Sequence, residues 1–244
     1  MKVALSSLRI MDGDAEANLR AMERAAREAK AEGAVLCCFG ECALQGFNCL
    51  AWDYKADRDT GVCADSPLFG RICRLSREIG IDLLFGFIER DGETLYSSCA
   101  LIADGSLLHL FRRVSKGWKE FSKTDGHYRE GTGVQPFTYR SLRCLIALCG
   151  DLWDDTASLF RDLHPDLLFW PVYICYTPEE WTGGVGREYA ERSAEFSPLT
   201  LLINSAADLN GLPDAHGGCA CFRGGRIDSC LPVGEEGLLL VDIR

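Results

Sequence analysis

Three unbroken apolar runs limit what this chain can fold into. They are Ala34-Val35-Leu36-Cys37-Cys38-Phe39, Leu145-Ile146-Ala147-Leu148-Cys149 and Leu167-Leu168-Phe169-Trp170-Pro171. A strand with one wet face alternates apolar and polar residues. A continuous apolar run of this length suits a strand covered on both faces, so each run needs a layer on either side. Residues 16–32 supply one amphipathic helix, with Leu19, Ala21, Ala25 and Ala29 set among charges and Gly33 placed to stop it. Ser66-Pro67 opens a second helix through Leu68, Ile72, Leu75 and Ile79, with Gly80 behind it. The proline fits a first helical turn. Residues 154–162 and 183–195 allow two more helices.

Further strands are predicted over residues 3–8, 81–88, 96–102, 107–114, 137–139, 143–149, 200–205, 219–222, 226–230 and 238–243. Arg90-Asp91-Gly92-Glu93 and Ala103-Asp104-Gly105 make the hairpin turns between them. Residues 42–59, 115–133 and 206–218 read as loops. Helices interleaved with strands predict a layered α/β or α+β architecture. No linker, repeat or low-complexity segment divides the chain, so residues 1–244 are expected to form one domain.

The net charge of −10 argues against a nucleic-acid or anionic-membrane surface, which would need clustered Lys and Arg. No apolar run is long enough to span a bilayer. Met1-Lys2-Val3-Ala4-Leu5 enters a strand directly, without the apolar core and cleavage site of a signal peptide, so the cytoplasm is the expected compartment. There the 13 cysteines should be thiols. No C-x-x-C pair occurs, and His109, His127, His164 and His216 fall in no ligand spacing, so neither a metal nor a cofactor is expected.

Chemistry gathers at the ends of the apolar runs. Glu41 follows one and Cys149 ends another, with Gly150 behind it to let the backbone turn tightly. Lys116 and Lys119 follow the strand over 107–114. A thiol, a carboxylate and a cation at one mouth would make an acyl-transfer site. The carboxylate takes the thiol proton, the sulfur attacks a carbonyl or nitrile carbon, and the cation holds the developing charge.

In this order the residues resemble the nitrilase superfamily of carbon–nitrogen hydrolases, whose triad is Glu-Lys-Cys. The resemblance covers nearly the whole chain. Phe39-Gly40-Glu41 through Gly46-Phe47 is similar to the family's F-P-E-x-x-x-x-G-[FY] segment. Gly86-Phe87-Ile88-Glu89 through Tyr96-Ser97-Ser98 is similar to its G-x-x-E…Y-N-[ST] hairpin, and Glu130-Gly131-Thr132-Gly133 to its P-G loop. Cys149-Gly150-Asp151 resembles C-[YW]-[DE], and Trp170-Pro171, Asn204-Ser205 and His216-Gly217-Gly218-Cys219 resemble later landmarks.

The resemblance implies a four-layer α-β-β-α sandwich. It also implies a catalytic Glu41 and Cys149, and hydrolysis of a small amide or carbamoyl amine, or a nitrile, through a cysteine thioester. Three departures stand out: Gly40 replaces a proline, Gly150 replaces an aromatic residue, and direct alignment of Y-R-K-x-H-L puts Arg113 in the lysine place. Lys116 is the favoured cation by its chain distance from Glu41 and Cys149, with Lys119 close behind and Arg113 as the third candidate. Glu120 and Glu130 are candidates for a second glutamate that orients the cation and the water. Tyr54, Trp118, Trp153 and Tyr173 are expected to shape the pocket. The alternative reading is a catalytically impaired or acyl-transferring member acting as a binding protein. Members usually pair through helices, and the chain ends soon after its last strand, so a homodimer without a long clasping extension is expected.

Overall fold

The computed structural model describes residues 1–153 and 155–243. The described residues form fifteen strands: β1 (Lys2–Ser7), β2 (Arg9–Ile10), β3 (Leu36–Cys38), β4 (Asp82–Asp91), β5 (Thr94–Ala103), β6 (Ser106–Arg112), β7 (Phe137–Tyr139), β8 (Leu142–Ile146), β9 (Leu167–Val172), β10 (Leu199–Asn204), β11 (Ala206–Leu209), β12 (Leu212–His216), β13 (Cys219–Arg223), β14 (Arg226–Leu231) and β15 (Gly237–Asp242). The helices are α1 (Ala15–Ala31), α2 (Tyr54–Asp57), α3 (Pro67–Ile79), α4 (Pro178–Glu180) and α5 (Gly186–Ala194).

Two six-stranded sheets result, in the orders β15-β1-β3-β4-β5-β6 and β14-β13-β10-β9-β8-β7. Each has a parallel trio near its middle, β1-β3-β4 in one and β8-β9-β10 in the other, with antiparallel neighbours outside.

The apolar runs explain the layering. In the first sheet Val3, Leu5, Leu36, Cys38, Leu84, Cys99 and Leu101 face the second sheet. Their alternates Ala4, Cys37, Phe39, Leu83, Phe85, Ala100 and Ile102 face Leu19, Met22 and Ala26 of α1 and Phe69 and Ile72 of α3. Both phases of the period-2 pattern are therefore apolar, as a doubly covered strand requires. In the second sheet Leu167, Leu168, Phe169 and Trp170 all join the shared core, which extends to Tyr189 and Ala190 of α5. The result is the expected α/β sandwich.

The helix ends follow local rules. Ser66 Oγ accepts from the Phe69 N–H at the start of α3, and Gly80 closes it in the left-handed region at φ 72°. Asp14 caps α1 through the Ala17 N–H.

Three sequence expectations change. Residues 42–59 contain the short helix α2, begun by Asp53 accepting from the Lys55 N–H, rather than a plain loop. Residues 206–218 contain the β11–β12 hairpin rather than a plain loop, turning at Asn210 (φ 54°) and Gly211 (φ 78°). The helix expected over 154–162 is a 3-10 segment at Asp155–Phe160, and Asp154 lies outside the described residues. All 13 cysteines are free thiols. No described helix is long and apolar enough to cross a membrane.

Candidate active site

Each parallel trio places one candidate site residue just past a strand end. Glu41 follows β3, and Cys149 follows β8. The Glu41 N–H donates to the Val172 carbonyl at the end of β9, tying the first sheet's loop to the second sheet. Gly86 lets this loop lie close to β4. A Cβ at Gly86 would meet Cys42 N at 2.6 Å, Glu41 Cα at 2.7 Å and Gly40 O at 2.7 Å, all backbone atoms. Gly40, in the proline place of the motif it resembles, is also closely packed: a Cβ there would meet Ser205 Oγ at 2.6 Å and Ser205 N at 3.0 Å.

Glu41 is buried, with 1% of its surface exposed. Its Oε1 accepts from Ser97 Oγ at 2.8 Å and from Arg113 Nη1 at 2.9 Å. Its Oε2 is buried and has no hydrogen-bond partner among the described residues. An unpaired buried carboxylate oxygen is costly, and Oε2 keeps its lone pairs open to a donor.

Arg113 sits one residue past β6 and is equally sealed. Its neighbour Arg112 turns to the other side, where it grips buried Glu89 through two hydrogen bonds of 2.8 and 2.6 Å. Arg113 Nε donates to Ser115 Oγ at 2.8 Å. Burial alone would lower its pKa, but Glu41, Cys149 and Asp151 outweigh that and hold it above its ordinary value. It is a permanent cation.

Cys149 opens a 3-10 turn, Cys149–Leu152. The left-handed residue at this turn is Cys149 itself, at φ 41°, and not Gly150 as its residue type suggested. A non-glycine residue there carries strain of order 1–3 kcal/mol and persists only where its surroundings hold it. Trp170 Nε1 donates to the Cys149 carbonyl at 2.9 Å, and Cys149 Sγ contacts the Tyr173 carbonyl at 3.5 Å. Burial pushes the thiol up, Glu41 adds to the rise and Arg113 opposes it, leaving it at about 12.

Asp151, fully buried, was not singled out from the sequence as a site residue. Its Oδ1 accepts from the Val114 N–H at 3.1 Å and the Ser115 N–H at 2.8 Å, and its Oδ2 from the Leu148 N–H at 2.8 Å. One carboxylate thus joins the segment after Arg113 to the turn that carries Cys149. Burial raises its pKa to about 6 against the lowering effect of Arg113 and these hydrogen bonds. An acid two residues after a candidate nucleophile was the only trace of it in the sequence.

The bend at Val114-Ser115 explains where the lysines go. Lys116, favoured by chain distance, is exposed and lines a surface cleft with Trp153, Asp155 and Thr156. It is not among the residues gathered around Glu41. Lys119 lies 2.8 Å from Glu130 Oε1 and donates to the Tyr128 carbonyl at 2.6 Å. Glu120 is exposed.

Of the aromatic candidates, Tyr173 is in the site through its carbonyl. Its ring stacks on Phe47 at 4.4 Å, and its hydroxyl donates to Asp214. Trp153 is 41% exposed and packs edge-on against Tyr189. Tyr54 stacks on His127, while Trp118 is buried beside Trp52 and Tyr128. Among the described residues no group of His, Cys, Asp and Glu is arranged to hold a metal ion.

The sequence pattern of the family described as carbon-nitrogen hydrolase matches residues 2–158. The chain belongs to the carbon–nitrogen hydrolase family. Relatives within the family diverge in named activity. An N-carbamoylputrescine amidase from Arabidopsis thaliana is 28% identical over 189 residues, covering 73% of this chain. This chain spans only 61% of that relative's length. An arylacetonitrilase from Hypocrea virens is 25% identical over 245 residues, covering 92% of this chain and 74% of its own. Among solved structures, a variant of the amidase from Nesterenkonia sp. AN1, with acrylamide added at its active-site cysteine, superposes with a TM-score of 0.79. It is 19% identical, and the match covers 100% of this chain and 93% of the amidase, which establishes a common carbon–nitrogen hydrolase fold.

Proposed function

We propose that this protein hydrolyses the C–N bond of a small amide or carbamoyl amine, with Cys149 as nucleophile, Glu41 as proton carrier and Arg113 as the charge-stabilising cation. The observation that carries the reading is the sealed Arg113–Glu41–Ser97 contact beside a strained Cys149. Glu41 Oε2, free of other hydrogen bonds, accepts the thiol proton as sulfur attacks the carbonyl carbon. The carbonyl π electrons move to oxygen, and the Arg113 charge offsets the negative oxygen. Collapse breaks the C–N bond, and Glu41 returns the proton to the departing nitrogen, leaving a thioester. Water then attacks that carbonyl and gives its proton to Glu41. Sulfur leaves and recovers a proton, and the acid is released.

Arg113 takes the role for which Lys116 was favoured because it, rather than Lys116, contacts Glu41. Amides, carbamoyl amines and nitriles all belong in the test, because relatives named for N-carbamoylputrescine and citrulline match alongside arylacetonitrilases. The test is a panel of small amides, carbamoyl amines and nitriles, read by ammonia release and by the mass of an acyl adduct on Cys149. Turnover that survives Cys149→Ala removes the proposal.

A second reading, an impaired or acyl-transferring member, is favoured by the arginine in the lysine place. It predicts an acyl adduct on Cys149 that water does not clear, and that an added amine or thiol takes up. We further take residues 1–244 as one domain, on the support of the core shared by both sheets, and a cytoplasmic homodimer as the working unit. Light scattering on the purified protein tests the dimer.

A further inference from the structure

An arginine is longer than a lysine and ends in a planar fork, so it needs room at its tip and an acceptor at Nε. Both are supplied by the three residues that follow the bend. Ser115 Oγ, fully buried, accepts from Arg113 Nε at 2.8 Å. Gly117 leaves the space that the tip occupies: a Cβ at that position would lie 3.2 Å from Arg113 Nη2. Asp151 holds the bend through the Val114 and Ser115 amides, so the seat is fixed relative to Cys149.

A lysine would fit this seat badly. It has a methylene where Nε–H stands, which would leave the buried Ser115 hydroxyl without its donor. Its chain would also end short of the gap beside Gly117. We infer that Ser115 and Gly117 are positioning residues that adapt this site to a guanidinium, so that the arginine is an integral part of the site and not a damaged lysine position. The inference rests on the reading of Cys149 as nucleophile, and the measurements below separate the two.

The protein is treated with iodoacetamide at pH 8, and labelling is followed at the Cys149 peptide by mass spectrometry. The sign of the effect identifies the role. If Ser115 and Gly117 only stabilise the fold, replacing them loosens the site and labelling of Cys149 speeds up. If they seat the cation, replacing them moves positive charge away from the sulfur, makes the thiolate harder to form, and slows labelling.

Ser115→Ala and Gly117→Ala are expected to slow Cys149 labelling by about 3-fold or more. Arg113→Lys is expected to slow it by about 10-fold, the equivalent of one pKa unit. Ser115→Thr keeps the hydroxyl and should label close to the wild-type rate. Wild-type or faster labelling in Ser115→Ala and Gly117→Ala overturns the inference, as does an Arg113→Lys protein that labels as fast as the wild type. If Ser115→Ala does not fold, Gly117→Ala and Arg113→Lys still decide. Ammonia release that persists in Cys149→Ala would fail the nucleophile reading without touching the labelling result. A wild-type Cys149 that takes no label would overturn both.

Discussion

Arg113 Nη1 and Glu41 Oε1 lie 2.9 Å apart in a place that water barely reaches. Each charge is tolerated there because of the other. Arg113→Ala or Glu41→Gln should therefore cost about 3–5 kcal/mol, because each leaves an uncompensated charge or a broken pair in the interior. The double substitution Glu41→Leu with Arg113→Met should regain most of that stability while remaining inactive. Urea unfolding of the four proteins checks this. Single variants within about 1 kcal/mol of wild type would mean that the pair is far better hydrated than its burial indicates.

Cys149 should be a slow thiol at neutral pH. Its pKa is raised to about 12, so the thiolate fraction grows about tenfold per pH unit throughout the usual working range. Alkylation of Cys149 should climb without levelling up to pH 10. A free thiol, with its pKa near 8.5, would already be levelling off above about pH 9. A plateau for Cys149 near pH 8 would show that Arg113 prevails over burial and Glu41.

Asp151 gives the opposite limb. Its folded pKa of about 6 lies above the ordinary carboxylate value, so the folded protein holds that proton more tightly than the unfolded chain does. The ionised form therefore opposes folding above about pH 6, and that cost is relieved as pH falls toward 4. Activity should move the other way. Protonation weakens the acceptor for the Val114, Ser115 and Leu148 amides, so turnover should fall below about pH 6 while stability from this group rises. Asp151→Asn keeps one acceptor oxygen but turns an amide NH2 toward a backbone N–H, and should lose at least about tenfold in turnover, the effect of roughly 1.4 kcal/mol. A pH–rate profile that stays flat down to pH 5 contradicts the assignment.

Gly86→Ala tests the placement of Glu41. The added methyl meets only backbone, so the Glu41 loop must shift, at a cost of about 1–3 kcal/mol. Turnover should drop more than stability predicts. Gly133→Ala, whose methyl would meet nothing within 4 Å, is the matched control and should be near neutral by both measures.

The layers were legible because they are written in long repeats of residue type. Residues 34–39 and 167–171 are apolar in both phases, and Ser66, Pro67 and Gly80 mark the limits of α3 by well-defined chemistry. The β11–β12 hairpin was missed although Asn210-Gly211 is a strong hairpin turn signal, because the flanking residues do not alternate cleanly. The candidate cation was harder still. Chain distance favoured Lys116, but a buried acid 36 residues from Ser115 captures two consecutive amides and bends the chain there, turning Lys116 outward. That interaction has no local trace. Nor does the left-handed backbone of Cys149, whose carbonyl accepts from the indole of Trp170 in β9.

The Glu41 N–H reaches the Val172 carbonyl only once the two sheets lie against each other. Glu41 and Cys149, the proposed proton carrier and nucleophile, follow strands of different sheets, at sequence positions more than a hundred residues apart. Neither sheet alone holds a site, so newly made protein should be inert until the two halves have docked. Recovery of turnover during refolding would then time the closing of the sandwich, later than any signal from the helices.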